Sequence, residues 1–128
     1  MILKLKSKKP VSTNILDLTE QNTVYCKLLN FFQQGDGFSI NASYFYLKET
    51  GVDADDEPTY TEIGIQSFGK SMTNEQADAL YLALGIVYPT GATYTQRRVI
   101  DLTAALLYMV GNDKPFGLVG SDWEVDPT

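Results

Sequence analysis

Residues 20–48 read EQNTVYCKLLNFFQQGDGFSINASYFYLK, and the two halves of this stretch carry different periods. In the second half the period is two. Phe38, Ile40, Ala42, Tyr44 and Tyr46 share one face, and Ser39, Asn41 and Ser43 share the other. That is a half-buried strand, with Phe45 and Leu47 adding apolar contacts near its far end. In the first half apolar residues fall at Val24, Tyr25, Leu28, Leu29, Phe31 and Phe32, and polar ones at Glu20, Thr23, Lys27, Asn30 and Gln34. Spacings of three and four predict an amphipathic helix over 20–34. Thr19 would cap it, Glu20 would suit the positive end of its dipole, and Gly35 would sit in its C-terminal turn. Gly35, Asp36 and Gly37 then turn the chain into the strand. A phosphate loop needs the reverse order, strand before helix.

Downstream, residues 60–68 alternate again, with Ile63 and Ile65 on one face. Residues 49–59 between the two strands are acidic and closed by Pro58, which predicts a hairpin with a long, mobile, acidic loop. Thr73-Asn74-Glu75-Gln76 is a capping box opening a helix through Ala77, Leu80, Tyr81 and Leu84 to Gly85. Its second half is apolar nearly all round, so it is expected to be sandwiched. After the turn at Pro89, Thr90 and Gly91, a helix over about 95–110 presents Val99, Ile100, Leu102, Leu106, Leu107 and Val110, and ends at Gly111. The reading is one α+β domain over 1–128, an antiparallel hairpin or sheet packed against about three helices. It carries a basic N-terminal arm (1–10) and an aperiodic C-terminal tail (112–128).

Composition narrows the chemistry. There is no histidine and a single cysteine, Cys26, so the side chains most often used for catalysis near neutral pH are nearly absent. No nucleophile elbow or dyad spacing occurs, and the expectation is a protein that is not an enzyme and takes no cofactor. One sulfur and no imidazole argue against zinc. Aligning Asp53, Asp55 and Glu57 with an EF-hand loop puts Pro58 where glycine is needed and Gly64 where the bidentate glutamate belongs, so no metal site is expected. No stretch approaches a membrane span, and Met1 to Lys6 lacks the apolar segment of a secretory signal. The lone cysteine fits a reducing compartment.

The charge pattern points to contacts instead. Lys4, Lys6, Lys8 and Lys9 crowd the start, leaving six basic against sixteen acidic residues elsewhere. Asp53, Asp55, Asp56 and Glu57 form one acidic cluster, and Asp122, Glu124 and Asp126 another. The lysine arm and the acidic loop are the two candidate patches for copies meeting through opposite signs. Arg97 and Arg98 oppose the dipole of their helix. Either Asp101 offsets them locally, or they reach a carboxylate or phosphate on a partner. Leu3 and Leu5 alternate with Lys4 and Lys6, as in an edge strand of this chain or an arm added to a neighbour's sheet. Phe116 and Trp123 in the tail are candidate interface anchors, or else fold back on their own core.

The order helix, strand, acidic loop, strand, helix over residues 20–84 resembles the small ring-forming proteins of tailed-phage necks and tails, such as tail terminators. The general character of the sequence is similar to crAss-like phage virion proteins. The resemblance implies a symmetric ring at the head–tail junction or tail, without catalysis. Its partners would be other copies and other virion proteins, with no membrane and no sequence-specific nucleic acid. Its place would be the virion, assembled in the host cytoplasm. The departure is the helix over 95–110, where terminator-like proteins tend to finish with a strand. The other reading is a small acidic inhibitor or DNA mimic, suggested by a pI near 4.4. On the assembly reading, reversing the four lysines to glutamate is expected to weaken self-association, measured as native mass at low and moderate salt. Unchanged assembly counts against the arm.

Overall fold

The computed structural model describes residues 4–14, 16 and 19–126 of the 128. Strands β1 (Lys4–Ser7), β2 (Val11–Ser12), β3 (Gln21–Asn22), β4 (Val24–Gln34), β5 (Gly37–Val52) and β6 (Pro58–Thr73) precede helices α1 (Asn74–Leu84) and α2 (Tyr94–Asp113). Two single 3-10 turns, Pro115–Gly117 and Gly120–Asp122, then lead into β7 (Trp123–Asp126). Five strands form an antiparallel sheet in the order β6-β5-β4-β1-β7, and β2 pairs with β3 beside it. The class is α+β, with two α-helices among the described residues rather than about three.

The missing helix is β4, and a bulge explains the misreading. Its register against β5 runs Val24↔Tyr46, Cys26↔Tyr44 and Leu28↔Ala42, then slips so that Phe31 meets Ile40. The residues facing the core are therefore Val24, Cys26, Leu28 and Phe31, a period of two broken once by three. The opposite face is apolar as well: Tyr25 stacks on Phe45 at 5.2 Å, and Phe32 is half exposed. Two apolar faces with one phase slip imitate helical spacing. Gly35, at φ 52°, belongs to the tight turn of the β4–β5 hairpin, and Thr19 and Glu20 cap no helix. The Glu20 carboxylate instead accepts from Asn14 Nδ2 at 3.0 Å.

The second hairpin matches its pattern better. Phe38, Ile40, Ala42 and Tyr44 are buried on the core face as expected. In β6 the pairs Tyr44↔Gln66 and Phe45↔Gly64 leave Ile65 as the extra residue of a second bulge. The expected long mobile loop is short: β5 continues to Val52, β6 resumes at Pro58, and only residues 53–57 connect them. Proline is tolerated there because the first residue of a strand need not donate to the ladder. Pairing with β4 ends at Tyr46, so residues 47–52 and 58–62 run on as a two-stranded arm, about 20 Å beyond the sheet.

Both helices begin with reciprocal capping boxes. Gln76 N donates to Thr73 Oγ1 at 3.1 Å and Thr73 N to Gln76 Oε1 at 3.0 Å. Thr93 and Gln96 repeat the arrangement at 3.2 and 2.8 Å, which moves the start of α2 to Tyr94. Asn74 N donates to Asp36 O at 2.6 Å, tying α1 to the β4–β5 turn. The second half of α1 is not sandwiched, since Leu82 is 84% exposed. α2 does not stop at Gly111. It runs to Asp113, and a Cβ on Gly111 would lie 3.4 Å from Gly120 Cα, so the glycine serves close approach of the tail.

That tail is structured. Lys114 (φ 47°) and Phe116 (φ 57°) are both left-handed, a conformation costly for non-glycine residues. It swings the chain so that Leu118 and Trp123 join the core with Leu5, Ala77, Leu106, Met109 and Val110. β7 pairs with β1, so the lysine arm is an interior strand of its own sheet, neither an edge nor a neighbour's. Leu5 and Ser7 point inward; Leu3 lies outside the described residues. Buried Ser7 Oγ accepts from Val24 N at 3.0 Å and donates to Lys9 O at 2.9 Å, which fixes where β1 leaves β4.

One glycine closes the sheet. A Cβ on buried Gly37 would meet Met72 O at 2.6 Å and Thr73 Cα at 3.1 Å, both backbone atoms with little room to move. Gly37→Ala should therefore cost about 1–3 kcal/mol, the range for overpacking. An unchanged urea midpoint would show that this end of the hairpin opens freely.

Candidate functional site

The basic arm and the acidic tail meet each other inside one chain. Lys4 Nζ lies 3.4 Å from Asp126 Oδ2, Lys9 Nζ 3.7 Å from Asp122 Oδ2, and Lys6 sits opposite Glu124 in the β1–β7 register. Lys8 is exposed, and its backbone N donates to Asp122 O at 2.7 Å. Docking β7 on β1 thus brings opposite charges across the strands, where such pairs add a few tenths of a kcal/mol or more. Trp123 is buried and Phe116 packs edge-on against Tyr44 at 5.5 Å, so both anchors belong to this chain's own core. Reversing all four lysines includes Lys4→Glu, which sets a negative charge against the Asp126 carboxylate, so it perturbs the fold as well as any assembly.

The other predicted patch is fully presented. At the arm tip the Asp53 Oδ1 accepts from Asp55 N at 2.8 Å and Glu57 N at 3.0 Å, while Asp53 N donates to Glu57 O at 2.9 Å. One carboxylate therefore builds the turn, which helps Asp56 hold φ 60°. Asp55, Asp56 and Glu57 are exposed. No group of three or more Asp, Glu, His or Cys among the described residues is arranged to hold a metal ion. Behind the acids, Val52 is 62% and Tyr60 56% exposed, so the tip carries apolar shoulders.

Arg97 and Arg98 lie on a different surface, at the start of α2. The Arg98 guanidinium sits 4.6 Å from the centroid of the Phe31 ring, and Arg97 lies 5.6 Å from that of Tyr88. Tyr88 in turn donates its hydroxyl to Asp101. Between the linker and the helix is an open groove of about 610 Å³ lined by Pro89, Gly91, Ala92, Thr95, Val99 and Ile100. Elsewhere on the linker and the first turn of α2, Val87 is 84% and Tyr94 77% exposed. Sequence reasoning missed this surface because it placed the apolar surplus of α1 inside. The run 79–100 holds two arginines and no carboxylate, but Asp101 follows at once and accepts from the Tyr88 hydroxyl under Arg97.

Titration offers no centre poised near neutrality among the shifted groups. Burial pushes the Cys26 thiol up to about 12 and Tyr81 up to about 12, and it raises Tyr44 as well. Tyr88 is raised by its hydrogen bond to Asp101. Among the aromatic residues of the sheet's outer face lie polar pairs: the Ser39 and Ser71 hydroxyls are 2.8 Å apart, Asn41 Nδ2 donates to Asn30 Oδ1 at 2.6 Å, and Lys27 is paired to Glu62 at 2.6 Å. Cross-strand side-chain pairs of this kind stabilise the sheet. No family model matches the chain, and neither a curated protein nor a solved structure matches it.

The thiol supplies a test of the core. Cys26 is neutral in the folded state up to about pH 12, whereas the unfolded thiol ionises near 9.0. A folded pKa raised above the unfolded one means stability is complete below about pH 9 and falls as pH rises from there toward 12. Cys26 should therefore resist a thiol reagent at about pH 8, below its unfolded pKa, until urea unfolds the chain. Fast labelling of the native protein would show that β4 opens locally.

Proposed function

We propose that this chain is a non-enzymatic structural protein that works by self-association, as a ring-forming component of a phage virion at the head–tail junction or tail. The observation that supports this reading best is the arm formed by the ends of β5 and β6. A two-stranded ribbon standing about 20 Å clear of its sheet buries little against its own chain, and isolated ribbons of this kind are marginally stable in water. Exposed Val52 and Tyr60 near its tip suit a surface that another molecule covers. The same holds for exposed Leu82, Val87 and Tyr94 on the helical side.

The resemblance to tail-terminator-like proteins fares unevenly as support. Its opening helix is β4, which weakens the match in element order, whereas β7 supplies the closing strand such proteins tend to have. The hairpin between them keeps its place and gains length. Partners on this reading are further copies of the chain and neighbouring virion proteins, with assembly in the host cytoplasm. No α-helix among the described residues is long and apolar enough to cross a membrane.

Light scattering on a sizing column, across a concentration and salt series, tests the reading. A discrete oligomer larger than a dimer is expected, with closed rings in electron micrographs of the same fraction. A strict monomer at every concentration overturns it, and tight salt-sensitive binding to a basic DNA-binding protein would then favour the acidic-inhibitor reading.

A further inference from the structure

We infer that Lys27 straps the base of the arm to the body of the sheet, through an ion pair drawn across the Phe45 ring. The strap acts within one chain, whether or not copies associate. On β6 the innermost residue of the arm is Glu62, and two residues on the ladder carries Gly64 and then the Ile65 bulge. Gly64 faces Phe45 without a side chain, and nothing lies within 4 Å of where its Cβ would be. A bulge with a glycine beside it is a natural place for a strand to bend, and β6 is the edge of the sheet, with no second strand to stiffen it. Phe45 is nevertheless only 2% exposed. Its cover comes from β4: Tyr25 stacks on it at 5.2 Å, and Lys27 Nζ lies 5.1 Å from its ring centroid. From there Lys27 Nζ donates to Glu62 Oε2 at 2.6 Å, so one side chain reaches from β4 over β5 to β6 and ends on the arm.

The strand register accounts for the direction of that reach. Lys27 stands opposite Lys4 in the β1–β4 pairing, and like charges facing each other across strands repel. Each lysine is drawn outward to a carboxylate on an edge strand, Lys4 to Asp126 of β7 at 3.4 Å and Lys27 to Glu62 of β6. Each also lies over one ring of the stacked pair, Lys4 over Tyr25 at 5.9 Å and Lys27 over Phe45. The outer face thus holds two matching straps, one for each edge of the sheet. They differ in what they hold. β7 is paired with β1 along its whole length, whereas residues 47–52 and 58–62 have only each other as strand partners among the described residues. The pair at Glu62 therefore bears on how firmly the arm keeps its direction, and the pair at Asp126 does not.

Amide hydrogen exchange read by mass spectrometry, on the full chain at one protein concentration, compares wild type with Lys27→Met, Glu62→Gln, their combination, Lys27→Arg and Lys4→Met. Exchange over residues 47–52 and 58–62 should quicken about two- to fivefold in each of the first two, the scale of a partly exposed ion pair. The combination should go no further than the larger single effect, because both changes remove one interaction. Lys27→Arg keeps the cation and its reach and should hold the wild-type rate. Lys4→Met should loosen β7 and leave the arm alone. Protection over residues 24–46 should stay at the wild-type level in the arm variants, and urea midpoints confirm that every variant folds. Arm exchange left unchanged by both Lys27→Met and Glu62→Gln overturns the strap. So does loosening spread evenly over the sheet, which would make the pair a general stabiliser with no particular hold on the arm.

Discussion

Tyr44 is the side chain on which the sheet, the end of α2 and the C-terminal strand all bear. Its ring stacks on Phe68 of β6 at 5.3 Å, takes the edge of Phe116 at 5.5 Å, and lies 6.1 Å from Trp123 of β7. Aromatic pairs of this kind add about 0.5–1.5 kcal/mol each beyond the area they bury. Together with the area these rings bury, the contacts oppose three unfavourable features. Phe116 keeps a left-handed backbone, and the Tyr44 hydroxyl and Trp123 indole N–H are buried with no hydrogen-bond partner among the described residues. A buried polar atom left unpaired costs about 1–3 kcal/mol, so it takes the apolar area buried by these rings, beyond the pair contacts, to hold the arrangement.

From that junction the charge layout follows. Seating Trp123 aligns β7 along β1, and the alternation of both strands puts Lys4 and Lys6 beside Asp126 and Glu124. The basic start of the chain is thereby neutralised by its acidic end. What stays unbalanced is the tip at residues 53–57, whereas the arginines at the start of α2 have Asp101 beside them, bonded to Tyr88 under Arg97.

The arm likewise turns charge into geometry. Asp53 commits its carboxylate to two backbone N–H groups, which converts a stretch of acids into an ordered turn. β6 forms one edge of the sheet along its sixteen residues, and the bulge at Ile65 interrupts that edge. A bulge of this kind discourages indiscriminate strand pairing along the edge.

Local signals in the sequence determined the elements whose causes are local. The Thr73–Gln76 cap, the alternation from Phe38 to Tyr44, the turn chemistry at Gly35 and Gly37, and the Leu–Lys alternation of β1 all depend on neighbours within a few residues. The same kind of signal was present and unread at Thr93–Gln96. Of the candidate site, the acids of the tip and the arginines of α2 could be named in advance, but not their surroundings. β4 could not be separated from a helix, because its phase slip has meaning only against the register of β5. Nor could the fate of Trp123, Lys4 and Lys9, since pairing between positions more than a hundred residues apart leaves no periodic trace in either segment. Periodicity records which side of a residue is dry; only the folded chain decides what makes it dry, and that choice turned an arm and a tail into the closing strands of one sheet.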